Sequence, residues 1–413
     1  MKRKIRKIYL FMVLIVLLFT TVDADETKKV DEADSFILKM LNDYYYAIEQ
    51  YSEIDISKYI DNEFLEEYIL NKVKAKTYRK IIYGKDEIEN LKISYDFISK
   101  ASEGNEMYYT IYSNISFNYK GADFESGYGQ DIRIVVKKED EQYKIKDFYM
   151  YDDDYDMELR SYELNMSNAK IIHIKELNRE TILKQRELNE KIFKFYDNIK
   201  NESYDETKQE DNNDNTSIKS SLHSLNKSSM VSWANTNYKK SNPTSGNSSL
   251  SSYYDFSNIS GNYDCTNFVS HSILAGGSNI YQTNTSGISS TGWYYKGINN
   301  RSSSWSGVQN LYNFLVNNTT KGPVGYKISY TNIYAPSGNF PYKAGDILQF
   351  HNGSIWRHST LIVGYIEVSG STTNLEAIVT GRSSSGSYNY KQRQSSIYSG
   401  NSRRVIVMKG YYQ

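Results

Sequence analysis

The 413-residue sequence has very little cysteine and proline: one cysteine, Cys265, and four prolines. A single cysteine excludes an internal disulfide, so the fold must be held together by packed cores. Thiol pairs for a metal site are absent, and the histidines lack paired metal-ligand spacing, so we expect no metal and no other cofactor. A lone thiol in an oxidising compartment is a liability unless it is used, which makes Cys265 the first candidate functional residue.

The sequence also lacks an excess of either charge, with 49 basic and 49 acidic residues. The balance hides an asymmetry: residues 25–215 carry 43 acidic and 28 basic residues (net −15), whereas residues 216–413 carry 5 and 16 (net +11). The basic half is predicted to be drawn to a polyanion such as an anionic cell wall or membrane surface. The alternative is that the two halves attract each other. No feature indicates a nucleic-acid partner.

Residues 1–24 have the organisation of an export signal. Five basic residues among the first seven precede an apolar run over residues 8–22, and small residues allow signal cleavage after Ala24. The run is short for a membrane span, and no cysteine follows it for a lipid anchor. We therefore expect a secreted protein, or one associated with the cell wall or cell surface. It would contact the membrane only through this segment, if the segment stays uncleaved.

Residues 25–165 are predicted to form an N-terminal α+β accessory domain. Apolar residues recur at helical spacing over residues 36–51 and 64–80. Alternating runs typical of strands follow at residues 91–95, 107–112, 115–119, 132–136 and 143–149. This order of helices and strands resembles that of the domains similar to nuclear transport factor 2.

The rest of the chain is predicted to contain a helix, a linker and a second domain. Residues 166–200 have helical periodicity, and residues 201–229 are polar enough to predict a disordered linker. Residues 230–413 form the predicted second domain, again α+β with an antiparallel sheet. Its predicted helices are 230–238, 266–274 and 308–316, and its predicted strands are 346–350, 359–363, 377–380 and 404–408.

Cys265 lies where a polar loop becomes a predicted helix. Unpaired N–H groups and the helix dipole stabilise an anion there, so the pKa of the thiol should be lowered and the same N–H groups can stabilise an oxyanion. The alternative is a buried cysteine that acts as a small hydrophobe. Asp264 precedes it, and a helix N-cap role is favoured over a direct chemical one.

A thiolate also needs a proton acceptor, and the chain has five histidines. His173 and His223 lie outside the second domain. His271 follows the cysteine by six residues in the same predicted helix and lies on another face. The pattern leaves His351 and His358 as alternatives.

Several sequence blocks occur together in the second domain. They are Ser232-Trp-Ala-Asn-Thr-Asn237, Asp264-Cys-Thr-Asn-Phe-Val-Ser270, Ala275-Gly-Gly277, Gly292-Trp-Tyr-Tyr295, Gly345-Asp-Ile-Leu-Gln-Phe350 and His358-Ser-Thr-Leu-Ile-Val363. Through them, residues 230–413 resemble the putative amidase domain family of bacterial exported proteins. That family belongs to the papain-like cysteine hydrolases, near the NlpC/P60 and CHAP peptidoglycan amidases. The resemblance implies Cys265 as nucleophile and His358 as base. It also implies a cell-wall peptide or muramoyl-peptide substrate.

The sequence departs from the family where a third residue would orient the base. Relatives often have a polar residue or histidine after the strand at 377–380, whereas this chain continues with Gly381 and Arg382. Thr380 and Asn389 are therefore candidates for the third position, with Asp264 as a supporting residue.

Aromatic residues between the nucleophile and the base raise a second open question. Trp293, Tyr294 and Trp305 are predicted to line a groove for a peptide or glycan chain, with core packing as the alternative.

Three functions remain open at this point. They are a cysteine amidase, a wall-binding module with little or no activity, and a thiol acyltransferase.

Overall fold

The computed structural model describes most of the chain. The described residues are 24–82, 87–150, 179–201, 221–249, 252–259, 263–329, 334–336, 342–351, 355–367, 374–382, 388–397 and 402–413. The predicted export signal, His173 and most of the predicted linker lie outside them. No helix among the described residues is long and apolar enough to cross a membrane.

The described helices lie in two groups along the chain. They are α1 (Ala24–Gln50), α2 (Glu63–Ile82), α3 (Arg179–Asn201), α4 (Lys227–Asn237), α5 (Cys265–Ala275), α6 (Ser303–Ser306) and α7 (Val308–Asn317). The prediction for residues 266–274 thus corresponds to α5, which begins one residue earlier, at the cysteine itself.

Strands form one large antiparallel sheet and a small three-stranded one. The first four are β1 (Ile88–Glu103), β2 (Glu106–Tyr119), β3 (Ser126–Glu139) and β4 (Gln142–Met150). The next six are β5 (Leu222–His223), β6 (Ile288–Ser289), β7 (Tyr295–Gly297), β8 (Asn300–Ser302), β9 (Gly322–Ser329) and β10 (Tyr334–Pro336). The last five are β11 (Ile347–His351), β12 (Trp356–Glu367), β13 (Asn374–Arg382), β14 (Tyr388–Arg393) and β15 (Ser402–Tyr412).

The N-terminal strands form the predicted antiparallel meander, with one difference. The strands predicted at 107–112 and 115–119 are a single strand, β2. The polar residues between them suggested a turn, but Ser113 is buried and its hydroxyl donates to the Gln130 carbonyl at 3.0 Å. A buried hydroxyl with a partner is compatible with a continuous strand.

The large sheet passes through both predicted domains. Its order is β1-β2-β3-β14-β13-β12-β11-β15-β5. The connection is the antiparallel pairing of β3 with β14, in which Tyr128 lies opposite Tyr390. Beside it, Gly127 has a φ of +154°, and a Cβ there would lie only 2.2 Å from the Ile115 carbonyl oxygen. The α+β class is therefore confirmed, and the two halves of the chain share one sheet.

The C-terminal part of this sheet has two covered faces. On one face, Ile347, Leu361 and Ile406 pack in a core with residues of α4, α5 and α7. On the other, residues such as Leu348 and Ile362 pack in the core that contains the N-terminal helices. Because strand residues alternate between faces, the side chain of each residue of β12 can be assigned to the α5 face or to the opposite face.

The predicted linker ends earlier than the sequence indicated. Leu222 and His223 form β5 and pair with Tyr412 and Tyr411 of β15. Helix α4 then starts at Lys227, where the Asn226 side chain accepts from the Ser229 amide at 2.9 Å. Local composition could not reveal this order, because the strand partner of β5 lies at the far end of the chain.

Candidate active site

Cys265 is the first residue of α5 and is only 2% exposed. A cysteine at a helix start faces backbone N–H groups that have no partner within the helix, and these favour a thiolate. Its Sγ lies 3.7 Å from the hydroxyl oxygen of Thr266. The structure thus places the thiol where the sequence predicted, next to a hydroxyl that the sequence analysis did not consider.

Asp264 occupies the N-cap position of α5, as predicted, but its side chain makes no capping hydrogen bond. Its carboxylate instead accepts from Arg382 Nε at 3.0 Å, from Asn267 Nδ2 at 2.9 Å and from the Tyr253 hydroxyl. Burial, followed by the nearby Asp255, raises the pKa of Asp264 to about 7 against the lowering effect of Arg382. Asp264 therefore ties the loop before the cysteine to β13.

Arg382 is a buried cation that joins several parts of this region. It is 1% exposed, and its Nη2 lies 2.5 Å from Asp255 while its Nε binds Asp264. Its Nη1 donates to the backbone carbonyls of Tyr238 and Lys240 at 3.0 and 2.8 Å. A buried charge is tolerated when it is paired and hydrogen-bonded, as here. The guanidinium of Arg382 thus holds the start of α5 against strand β13.

His358 lies near the start of β12 and is 7% exposed. Its Nε2 is hydrogen-bonded to the Tyr390 hydroxyl, and its ring lies 6.2 Å from that of Phe350. Burial, together with the positive charge of Arg357, lowers the pKa of His358 to about 3. The imidazole is therefore neutral at pH 7 and, with this pKa, is a weak base in its present position.

The strand geometry separates the imidazole from α5. The Ser359 hydroxyl lies 3.2 Å from the Thr266 hydroxyl, so Ser359 faces α5. Since adjacent strand residues point to opposite faces, His358 faces away from α5, towards Tyr390. The chain segments that carry the thiol and the imidazole are thus neighbours, while the imidazole itself lies on the other face of the sheet. Catalytic pairing of Cys265 with His358 stays a prediction.

The Tyr390 hydroxyl occupies the position beside the histidine for which sequence reasoning proposed Thr380 or Asn389. The Thr380 hydroxyl donates to the Tyr390 backbone carbonyl at 2.8 Å. Asn389 is buried opposite Arg382 on the neighbouring strand. A Cβ at Gly381 would lie 2.8 Å from the Tyr390 hydroxyl oxygen, so the glycine makes room for the tyrosine. Gly381 stands where the family resemblance implied a polar residue. Its presence there was the sequence feature that could have indicated a different partner for the histidine.

A buried chain of polar side chains extends from Thr266 away from the thiol. Ser359 accepts from Gln349 Nε2 at 3.0 Å, and Gln349 Oε1 accepts from Arg404 Nε at 2.8 Å. We call this set the polar chain: Thr266, Ser359, Gln349 and Arg404. The first three are 0% exposed and Arg404 is 3% exposed. Sequence reasoning missed it, although a glutamine inside the apolar strand 346–350 was a signal.

The aromatic residues predicted to line a groove are instead part of the core. Trp293, Tyr294 and Trp305 are each 0% exposed. The two indole rings lie 4.7 Å apart, and their N–H groups donate to Ser270 and Asn267 of α5. The groove prediction is therefore wrong and the packing alternative holds, because these side chains support the helix that carries the cysteine.

The other described histidines occupy different surroundings. His271 is fully buried, stacks on Trp233 and has a pKa lowered to about 3 by burial. His351 ends β11, and its ring lies 5.0 Å from that of Trp356. His223 belongs to β5, stacked on Tyr411.

The site is thus a helix-terminal cysteine on an antiparallel sheet, bordered by a buried ionic cluster and a polar chain. Residues 224–408 match the family model described as the putative amidase domain. The match agrees with the family that the sequence blocks indicated, and the description of that family indicates hydrolysis of amides. Comparison with curated proteins and with solved structures gives no match for the chain.

Proposed function

We propose that residues 224–408 hydrolyse amide bonds with Cys265 as the nucleophile. One observation carries the proposal: the lone cysteine is the first residue of a helix inside the region that matches the putative amidase domain. The helix terminus favours the thiolate, and the thiolate is the reactive form of cysteine. A buried cysteine that only filled space would not need this position.

The reaction would run through a thioester. The Cys265 sulfur attacks the carbonyl carbon, and the backbone N–H groups of the helix start stabilise the oxyanion. The C–N bond then breaks as the leaving amine takes a proton from the general acid. Water hydrolyses the thioester and releases the carboxylic acid and the thiol. His358 is the proposed acid and base. It would take the proton of the thiol after leaving its buried position, where burial lowers its pKa to about 3.

The use of His358 requires a change at its present hydrogen bond. Its Nε2 is bonded to Tyr390 on the face opposite Ser359. A proton transfer partner must lie within hydrogen-bond reach, although such contacts often tighten only when substrate binds. The proposal therefore requires the loss of this hydrogen bond and a rearrangement at the start of β12 that turns the imidazole towards α5.

The proposed substrate is a peptide or muramoyl-peptide bond of the bacterial cell wall. The net charge of +11 over residues 216–413 suits an anionic polymer, and the predicted export signal suits a secreted or wall-associated protein. As part of the same proposal, residues 230–413 have the papain-like arrangement of a nucleophile helix packed on an antiparallel sheet. Residues 25–165 would then be an accessory domain similar to nuclear transport factor 2.

A second candidate function is a wall-binding module without amidase activity. The position of His358 favours it, because the imidazole faces away from α5 and is held by Tyr390. In that case Cys265 would be a packing residue at the helix start, consistent with its 2% exposure.

Labelling with a thiol-directed activity probe separates these two functions. Because the chain has one cysteine, all thiol labelling reports on Cys265. The amidase proposal expects labelling faster than that of free cysteine, with the excess lost in His358→Ala. His351→Ala is the matched control and should keep the wild-type rate. Labelling no faster than free cysteine, and unchanged in His358→Ala, would support the binding module.

A further inference from the structure

The donor and acceptor roles along the polar chain are determined by the groups at its two ends, Arg404 and the thiolate of Cys265. Arg404 has only donors, so the oxygen of the Gln349 amide must face it and the amide nitrogen must face Ser359. A thiolate has only acceptors, so the Thr266 hydroxyl must donate to it. The Thr266 oxygen can then accept from Ser359, whose own oxygen accepts from Gln349. Every hydrogen bond therefore points from the cation towards the sulfur.

The cation at the far end is held in place and remains charged. The Arg404 guanidinium carbon lies 3.5 Å from the ring centroid of Tyr312 and 4.0 Å from that of Trp356. Its Nη2 also donates to Gln309 at 3.2 Å. Burial lowers the pKa of Arg404 to about 10. This value is still well above neutral pH, so the guanidinium stays protonated. Stacking between two rings makes it a fixed charge.

We propose that the polar chain stabilises the thiolate of Cys265, so that its four members are positioning residues for the nucleophile. Buried hydrogen bonds polarise one another, and here each one transmits the donor character of Arg404 towards the sulfur. This inference rests on the proposed role of Cys265 as nucleophile. It does not require the imidazole of His358 to be near the thiol.

The other ionisable groups around the thiol loop have partners of their own. Asp264 and Asp255 are both bonded to the Arg382 guanidinium, and Tyr253 donates to Asp264. His358 lies on the other face of the sheet. The negative charge nearest in sequence to the thiol is thus compensated by Arg382, and the polar chain supplies a separate donor at the sulfur.

The test is the pH dependence of alkylation of the full-length protein by iodoacetamide. Thr266→Val and Ser359→Ala each remove one link of the polar chain. Each should raise the apparent pKa of Cys265 by about one unit and slow alkylation at lower pH about tenfold. Thr266→Ser keeps the hydroxyl and should restore the wild-type profile. Gln349→Glu, which cannot donate to Ser359 when ionised, should also raise the pKa.

Two matched controls keep the result specific. Ser272→Ala removes another buried hydroxyl of α5, which donates to the Phe268 carbonyl. Thr360→Val removes the hydroxyl next to Ser359 on β12, which donates to the Leu348 carbonyl. Both should leave the alkylation pKa unchanged. Equal pKa values in the controls and in the two polar-chain variants would overturn the proposal.

Alkylation of the thiol does not require catalytic turnover. The experiment can therefore reject the role of the polar chain without rejecting amide hydrolysis, and the reverse. A pKa that rises in Thr266→Val and Ser359→Ala supports the polar chain even when the wild type cleaves no amide. Amide cleavage by a wild type whose thiol pKa is unaffected by these variants would support the amidase and reject the polar chain.

Discussion

His358 Nε2 is hydrogen-bonded to the Tyr390 hydroxyl on the face of the sheet opposite α5. The next residue, Ser359, faces α5 and contacts Thr266. The nucleophile and the proposed base are therefore carried by adjoining chain segments, while the imidazole is engaged elsewhere. This relationship makes Tyr390 the residue whose removal is most informative about the base.

Tyr390→Phe should accelerate labelling of Cys265 at pH 7. Loss of a hydrogen bond worth about 1 kcal/mol shifts the equilibrium about fivefold towards the rearranged start of β12, in which the imidazole faces the thiol. The measurement is the rate of labelling by an electrophilic probe. The double variant with His358→Ala should fall to the His358→Ala rate. Tyr294→Phe, another buried tyrosine, is the control. Slower labelling in Tyr390→Phe would mean that the tyrosine orients the base instead of withholding it.

His271 should make the protein less stable in mild acid. Its folded pKa of about 3 lies below the unfolded value of 6.5, so the unfolded state binds more protons between these values. The stability it contributes is present above pH 6.5 and is lost as the pH falls. Between pH 7 and pH 5 the loss is about 2 kcal/mol.

Urea unfolding of wild type and His271→Gln at both pH values checks this effect. Only the difference between the two proteins is interpreted, because other buried groups titrate in the same range. The wild type should lose about 2 kcal/mol more than the variant. Parallel losses would show that the imidazole is protonated at no extra cost in the folded state.

Arg382→Met should be strongly destabilising. The substitution leaves Asp255 and Asp264 buried without their cation, which costs about 3–5 kcal/mol. The cost should be larger at pH 8 than at pH 5.5, because Asp264, whose pKa is raised by burial to about 7, becomes protonated at the lower pH. Denaturant unfolding at both pH values measures it. Lys146→Met, which breaks an exposed pair with Glu106, should cost at most about 1 kcal/mol. Similar losses in the two variants would argue against a buried ionic cluster.

The sheet that joins the two halves should make them unfold together. Gly127→Ala should cost about 3 kcal/mol, since its Cβ would meet the Ile115 carbonyl. Gly104→Ala is the matched control, because Gly104 also has a positive φ but open space around it, and should cost about 1 kcal/mol. Calorimetry should show one transition for wild type, lowered as a whole in Gly127→Ala. Two transitions, with only one moved, would contradict the shared sheet.

Local patterns predicted the local elements well. Periodicity gave α5 to within one residue at each end, and the position of Cys265 at its start followed from the change in composition. The block Asp264-Cys-Thr-Asn-Phe-Val-Ser270 was specific enough to indicate the family. These features depend on residues that are neighbours in sequence, where spacing carries the information.

The relationships between distant segments could not be predicted in this way. The pairing of Tyr128 with Tyr390 joins strands some 260 residues apart, and no local pattern specifies such a register. The contact of Tyr390 with His358 depends on the same pairing of strands. The polar chain needs three strands and a helix to be placed before its hydrogen bonds exist.

Digestion of purified bacterial cell wall by the full-length protein tests the central claim most directly. Mass analysis of the fragments identifies any bond that is cut, and an assay for new amines counts the cuts. We predict new amines at one kind of amide bond with wild type and none with Cys265→Ala. The same products from both proteins, or none from either, would contradict amide hydrolysis of the cell wall by Cys265.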